Sequence, residues 1–174
     1  MFPDRLQTSR LTLRPVGYDD AAAIFEGYAQ DPAVSRFVMW RPHTSIEDTE
    51  AYIASCLSAT AFRSFALIHR GRDALVGTFD LRDGGPGRIG FGYVLARALW
   101  GQGLMTEALT AAAEWALSQP GVWRIGDVCD TENGASARVM EKAGLLREGL
   151  LRRWAVHPNV SDLPRDCFVY AKVR

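Results

Sequence analysis

The residues that point most directly to chemistry lie in the segment Trp100–Met105. Gly101 and Gly103 flank a single residue there, so the backbone can adopt positive φ or approach a ligand closely. Thr106 and Glu107 suit the start of the alanine-rich helix that follows. Backbone N–H groups and the positive end of a helix dipole would then converge on one spot, whose natural occupant is an anion, most often a phosphate. The alternative is a structural turn whose glycines only allow close packing.

The turn matches neither of two common phosphate-binding motifs. A dinucleotide fingerprint, Gly-x-Gly-x-x-Gly, would need glycine at Thr106. A P-loop would need Gly-Lys followed by Ser or Thr, and Gly103 is followed by leucine. The flanking residues predict a buried strand over Gly90–Leu95 and a helix after the turn. A different strand–turn–helix phosphate site is therefore expected.

The run Tyr93–Leu109 resembles the acetyl-CoA motif of the GNAT superfamily of N-acetyltransferases. Its core, Trp-Gly-Gln-Gly-Leu-Met-Thr-Glu-Ala, is similar to the RimJ/RimL-like branch, which acetylates the N-termini of ribosomal proteins. Two further motifs extend the resemblance over nearly the whole chain. They are Arg-Leu-Thr-Leu-Arg-Pro at residues 10–15 and Asn-Gly-Ala-Ser at residues 133–136, ahead of Glu-Lys-Ala-Gly at residues 141–144. The resemblance implies that the glycine turn holds the pyrophosphate of the coenzyme.

The resemblance also implies which residues bind acetyl-CoA. The strand that ends at Tyr93–Leu95 is expected to splay from its parallel neighbour. Its backbone would then pair with pantetheine, and an N–H near Val94 would face the thioester carbonyl. The predicted coenzyme-binding residues are Tyr93, Val94, Leu95, Trp100, Gly101, Gln102, Gly103, Leu104, Met105, Asn133 and Ser136.

Ser136 is the predicted catalytic residue. Many members of the superfamily place a tyrosine seven residues after the asparagine, but this chain has Met140 there, which cannot donate a proton. In the RimJ/RimL-like branch a serine three residues after the asparagine, here Ser136, is proposed to hydrogen-bond the coenzyme sulfur, so Ser136 is predicted to assist the leaving thiolate. The alternative is that Ser136 only caps the helix that begins after Asn133, which is itself a natural N-cap residue.

The resemblance does not identify the general base. The glutamate that family members often carry on the central strand corresponds to Gly90 in this chain. Asp80, Asp127 and Glu132 are nearby candidates, each with the alternative role of a solvated or capping carboxylate. A dedicated base is not required for every acceptor. An N-terminal α-amine has a pKa of about 7.7–8.0, against about 10.4 for lysine, so part of it is already neutral and water could carry the proton.

The order of the predicted elements indicates an α+β protein. The resemblance implies the acyl-CoA N-acyltransferase fold, with α/β/α layers and a mixed, mostly antiparallel sheet of about seven strands around a splayed parallel central pair. One domain over residues 1–174 is expected. Strands are predicted at about 8–16, 62–69, 74–81, 90–95, 122–129, 145–154 and 167–173, and helices at about 20–29, 45–59, from 106 onward and at 135–142.

The composition gives no sign of a nucleic acid or membrane partner. The 174 residues include 20 basic and 20 acidic side chains, so the formal net charge is zero. The first residues lack the apolar core of a signal peptide, and a cytoplasmic location is expected. Cys56, Cys129 and Cys167 are widely spaced and are predicted to be buried, reduced thiols. The three histidines are scattered, so no metal site is expected.

The sequence leaves the acceptor amine open. The segment Arg36–His43, which includes Trp40, is either a hydrophobic plug over the core or one wall of an acceptor cleft, with the loop His157–Asp162 on the other side. A protein N-terminus, a polyamine, or an aminoglycoside or other small amine could be the acceptor, although the balanced charge disfavours a polyamine. A catalytically silent acyl-CoA-binding sensor or interaction module is the alternative to an enzyme. A homodimer is among the assemblies expected.

Overall fold

The computed structural model describes residues 2–174, and within them a sheet of eight strands lies between helices on both faces. The strands are β1 (Leu6–Gln7), β2 (Leu11–Pro15), β3 (Phe62–His69), β4 (Ala74–Asp83), β5 (Arg88–Leu95), β6 (Arg124–Asp130), β7 (Leu146–Ala155) and β8 (Arg165–Val173). The helices are α1 (Ala21–Ile24), α2 (Ile46–Ser58), α3 (Leu104–Ser118) and α4 (Gly134–Lys142).

The sheet is mixed, with the strand order β1-β2-β3-β4-β5-β6-β8-β7. Each pair of neighbours is antiparallel except β5 and β6, which are parallel because α3 connects them. The expected α+β architecture with one parallel central pair is thus confirmed. The count is eight instead of about seven because of β1, a two-residue strand that precedes the predicted first strand, 8–16, and pairs with β2.

Two hydrophobic clusters, one on each face of the sheet, hold the layers together. On one face α3 presents a fully buried stripe of four alanines and one leucine, and the small alanine side chains let the helix lie close to the strands; these residues are Ala108, Leu109, Ala112, Ala113 and Ala116. On the other face α1 and α2 bury Ile24, Tyr28 and Ile53. The predicted helix–sheet–helix layering is confirmed.

Two helix predictions need correction. The helix α3 begins at Leu104 rather than at Thr106, because Gly103 adopts a left-handed conformation (φ 76°) and serves as the N-cap. The expected regular helix up to residue 29 is instead α1 followed by a π-helical turn, Phe25–Ala29. The carboxylate of Asp20 does accept a hydrogen bond from the Gly17 N–H at the start of this segment, but it also forms an ion pair with Arg14.

The cysteines behave as structural residues. Cys56, Cys129 and Cys167 are buried and not in disulfides, as predicted, and burial raises the pKa of the Cys129 thiol to about 12. Within residues 2–174 no cluster of three or more His, Cys, Asp or Glu side chains is arranged to hold a metal ion. None of the helices in that range combines the length and the apolar character that crossing a bilayer would require.

Candidate active site

The parallel pair β5–β6 opens almost as soon as it forms. Backbone pairing is limited to Arg88 opposite Arg124 and Ile89 opposite Ile125. Two positions further along β5, the N–H of Phe91 donates to the Asp127 carboxylate (3.0 Å to Oδ2) instead of to the backbone of β6. The predicted splay is present, and the Asp127 side chain lies at the point where it begins.

Beyond this point, no strand within residues 2–174 pairs with the edge of β5 that faces β6. N–H groups alternate in direction along a strand, so those of Tyr93 and Leu95 point the same way as that of Phe91, into the splay. Val94 points the other way, towards β4, as the bond from Ala96 N–H to the Val76 carbonyl at 2.8 Å also indicates. The donor expected near Val94 is therefore the N–H of Tyr93 or Leu95.

The glycine turn has the conformation that its sequence predicts. Gly101 and Gly103 have φ values of 75° and 76°, which side chains with a Cβ rarely adopt. Within residues 2–174 no protein atom accepts a hydrogen bond from the backbone N–H groups of residues 101–106. These free donors, at the positive end of the 15-residue helix α3, are an arrangement that binds anions.

Trp100 has a different role from the one predicted for its backbone. Its N–H donates to the Arg97 carbonyl at 3.2 Å, so it is not among the free donors. The indole Nε1 donates to the Leu95 carbonyl at 2.7 Å and ties the turn to the open edge of β5. Gln102 also bonds within the turn, its side-chain amide donating to the Ala98 carbonyl at 3.3 Å.

An ion pair from the start of the chain braces the turn. Arg10 Nε donates to Glu107 on α3 at 2.7 Å, and Arg10 Nη1 donates to the Gln102 carbonyl at 2.9 Å. Partial burial opposes ionisation of Glu107, but hydrogen bonds from the segment 8–10 lower its pKa to about 2. This contact joins residues 97 positions apart in the chain, and nothing in the spacing of the sequence pointed to it.

The second predicted motif converges on the same splay. Asn133 is the N-cap of α4, and its Oδ1 accepts from the Ser136 backbone N–H at 3.1 Å. The Ser136 hydroxyl is not used for capping; its Oγ lies 2.8 Å from the hydroxyl of Tyr93 on β5. Met140, at the position of the family tyrosine, is buried with 1% of its surface exposed. The structure therefore brings Tyr93, Asn133 and Ser136 together beside the open strand.

The three candidate base residues lie in different surroundings. Asp80 and Asp127 flank the Arg82 guanidinium, at 3.5 and 3.7 Å. Burial raises the pKa of both carboxyls, although Arg82 and their hydrogen-bond donors oppose the shift. Glu132 is exposed and forms an ion pair with Arg165 at 2.8 Å. The first two are therefore better suited to accept a proton than Glu132 is.

Asp127 also fills space that Gly90 leaves open. A Cβ added at Gly90 would lie 3.3 Å from Asp127 Oδ2, and a Cβ at Gly92 would overlap the Arg82 guanidinium. The position that corresponds to the family glutamate is thus bordered by a carboxylate from the neighbouring strand. Asp127 was one of three candidate bases predicted from the sequence, which did not favour it over Asp80 or Glu132. Its contact with the Gly90 position depends on the register of β5 and β6.

The two segments expected on opposite sides of an acceptor cleft are in direct contact. Asn159 Nδ2 donates to the carbonyls of Ser35 at 2.6 Å and Trp40 at 2.7 Å, and the rings of Phe37 and His157 meet edge to face. At these residues the two segments touch and form one wall, rather than facing each other across a gap. A small pocket lies on the inner side of that wall and is lined by Tyr28, Trp40, His43, Tyr52 and Thr78, among others.

Comparison with known proteins agrees with this geometry. Residues 10–146 match the family profile described as "Acetyltransferase (GNAT) domain". The protein named "Uncharacterized N-acetyltransferase YoaA" of Bacillus subtilis (strain 168) is 30% identical, and the alignment covers 100% of this chain and 98% of that protein.

Solved structures give the same result for the fold. A GNAT-family acetyltransferase from Bacillus anthracis is 27% identical, with a TM-score of 0.85 over 97% of this chain and 98% of that one. RimL, a ribosomal L7/L12 alpha-N-protein acetyltransferase solved in complex with coenzyme A, shares the fold at 18% identity, with a TM-score of 0.84 and 97% of each chain covered. This chain therefore belongs to the GNAT family of N-acetyltransferases.

Proposed function

We propose that this enzyme transfers the acetyl group of acetyl-CoA to a primary amine, either a protein N-terminal α-amine or a small-molecule amine. The observation that carries the proposal is the run of unpaired backbone N–H groups at residues 101–106, beside the open edge of β5. A pyrophosphate joined to an extended amide-containing arm is complementary to both features. RimL, which has the same fold, was solved with coenzyme A.

Each part of the site has a role in holding the coenzyme. The N–H groups of residues 101–106 would bind the pyrophosphate, including those of Leu104 and Met105, whose side chains are buried in the core. The backbone of Tyr93 and Leu95 would pair with the pantetheine arm. Asn133 would contribute its side-chain Nδ2, which has no protein acceptor within residues 2–174.

The acceptor amine must be neutral when it attacks the thioester, and its nitrogen must lose a further proton to a base as the amide forms. Asp127 is the base that we propose, because its carboxylate borders the splay and its surroundings raise its pKa above that of an ordinary aspartate. A raised pKa brings a carboxylate closer to the pH at which it accepts protons efficiently. An α-amine would need little help, since its own pKa is only about 7.7–8.0.

The pH dependence of kcat/KM is expected to reveal this base. Below the pKa of the amine, log(kcat/KM) should fall in first order in protons, and below the raised pKa of Asp127 in second order, because both groups must be deprotonated. Asp127→Asn should abolish the second-order region and lower the plateau by about 10- to 100-fold. Asp80→Asn, which removes the other carboxylate beside Arg82, is the matched control. A second-order region that survives in Asp127→Asn, or disappears in Asp80→Asn, would exclude Asp127.

The thiolate of the coenzyme must leave as the new amide bond forms. Ser136 is the proposed donor, since its hydroxyl lies beside the splay and is free of any capping role. A thiol has a pKa of about 8.5, so the thiolate is a tolerable leaving group and a donor should assist the reaction rather than decide it.

The acceptor is proposed to bind against the Arg36–His43 part of the wall that this segment forms with the loop His157–Asp162. Trp40 and His43 have ring centroids 5.3 Å apart and line the small pocket on its inner side. Burial lowers the pKa of His43, which favours its neutral form at physiological pH. An uncharged aromatic surface suits the apolar part of an amine-bearing acceptor.

One experiment tests both the activity and this acceptor wall. Wild-type protein, Trp40→Ala and the control Trp123→Ala, a tryptophan 62% exposed elsewhere on the surface, are incubated with acetyl-CoA and a panel of peptides and small amines. Mass spectrometry detects acetylated products, and a thiol assay follows release of coenzyme A. Trp40→Ala should raise the acceptor KM by about tenfold and leave coenzyme affinity unchanged, whereas Trp123→Ala should change neither. Coenzyme binding without thiol release for any amine would support a silent sensor instead.

A further inference from the structure

The hydroxyl of Tyr93 connects the splayed strand to the start of α4. It lies 2.8 Å from Ser136 Oγ and 3.4 Å from the Ser136 carbonyl oxygen. The Tyr93 ring packs with Phe79 and Phe91, each at a centroid distance of 6.0 Å. Because these contacts fix the ring, the hydroxyl is delivered to one place beside Ser136.

The direction of this hydrogen bond follows from the partners available. Tyr93 has one proton to donate, and within residues 2–174 its only acceptors are the two oxygen atoms of Ser136. If Ser136 donated to Tyr93, the phenol proton would be left with the carbonyl at 3.4 Å, which is beyond the usual O–H···O range. Burial raises the pKa of Tyr93, so the phenol keeps its proton at physiological pH. These distances favour Tyr93 as the donor and Ser136 Oγ as the acceptor.

This arrangement leaves the proton of Ser136 free. Its backbone is fixed by the bond from its N–H to Asn133 Oδ1, and its Oγ is fixed by the bond from Tyr93. A hydroxyl whose oxygen already accepts one hydrogen bond can still donate its own proton to another partner. The donor direction of Ser136, on α4, is thus set by a residue on β5.

We propose that Tyr93 is a positioning residue, which holds Ser136 Oγ as a hydrogen-bond acceptor and thereby directs the Ser136 hydroxyl proton towards the sulfur of the coenzyme. The inference rests on the proposed function, in which the coenzyme sulfur lies beside Ser136. Tyr93 does not transfer a proton to the sulfur itself. It acts only through Ser136, so its effect should vanish when the serine hydroxyl is absent.

The pKa of the thiol of bound coenzyme A tests this inference without an acceptor. The ultraviolet absorbance of the thiolate is titrated with pH for coenzyme A bound to wild type, Tyr93→Phe, Ser136→Ala and the double variant. A positioned O–H donor stabilises the thiolate and lowers the pKa of the bound thiol. We expect Ser136→Ala to raise it by about one unit and Tyr93→Phe by about half a unit or more, with the double variant matching Ser136→Ala.

Tyr170→Phe is the matched control for loss of a buried tyrosine hydroxyl, because Tyr170 donates to Glu141 at the other end of α4 at 2.9 Å. It should leave the pKa of the bound thiol unchanged. The inference is overturned if Tyr93→Phe behaves as wild type, if it shifts the pKa equally in the Ser136→Ala background, or if Tyr170→Phe causes the same shift. If wild type fails to bind coenzyme A, the proposed function is overturned together with the inference. If wild type binds coenzyme A but the variants do not show the expected shifts in thiol pKa, only the inference is overturned.

Discussion

Gly101→Val is expected to weaken the binding of coenzyme A by about 10- to 100-fold. Gly101 has φ 75°, and a valine there would be forced towards another backbone conformation, which would turn the neighbouring N–H groups away from the pyrophosphate. Losing one hydrogen bond to a charged group costs about 1.5–3 kcal/mol. Isothermal titration calorimetry with coenzyme A gives the dissociation constant.

Gly121→Val is the matched control for this variant. Gly121 also has a positive φ, 78°, and a Cβ at either glycine would meet no atom within 4 Å. It follows the C-terminal end of α3, about 22 Å from the turn along the helix axis. Both variants should therefore lose similar thermal stability, whereas only Gly101→Val should lose coenzyme affinity. Equal affinities in the two variants would remove the glycine turn from the coenzyme site.

Ser136→Ala is expected to lower kcat by about 10- to 1,000-fold while the coenzyme dissociation constant stays within a factor of about two. The hydroxyl is proposed to act mainly when the thiolate forms, so its loss should affect the transition state more than the bound substrate. The variant keeps the backbone N–H of residue 136, which donates to Asn133 Oδ1, so the N-cap of α4 is retained. Steady-state kinetics with a competent acceptor, together with calorimetry, measure both quantities.

Asn133→Ala provides the contrast. It removes the N-cap of α4 and should lower the free energy of unfolding by about 1 kcal/mol, as well as weakening coenzyme binding. Ser136→Ala should leave the thermal midpoint nearly unchanged. A Ser136→Ala protein with full kcat would show that the hydroxyl is dispensable and that water supplies the proton to the thiolate.

Local features of the site could be predicted from the sequence because each depends on a few adjacent residues. Two glycines around one residue predicted the positive φ values of the turn, and Asn133 predicted the cap of α4. The connection of β5 to β6 through a helix predicted that the two strands are parallel. The resemblance to family motifs then predicted that these local elements form one coenzyme-binding site.

Contacts between distant segments could not be predicted in this way. Arg10 braces the glycine turn through Glu107, Asp127 borders Gly90, and Tyr93 meets Ser136 only because particular strands and helices pack in a particular register. The same reason explains why the direct contact between the two segments expected around an acceptor cleft was not predicted. Asn159 joins two segments more than 100 residues apart, and no periodicity or composition in either segment indicates this bond.

The most direct test of the central claim is a titration of isotope-labelled protein with coenzyme A, followed by amide resonances in heteronuclear NMR. If the N–H groups of residues 101–106 bind the pyrophosphate, their resonances should show the largest shifts, and those of Tyr93 and Leu95 should move with them. Pantetheine, which lacks the pyrophosphate, should shift the resonances of Tyr93 and Leu95 but leave those of residues 101–106 largely unchanged. Saturable binding of coenzyme A with the resonances of residues 101–106 unmoved would contradict the account.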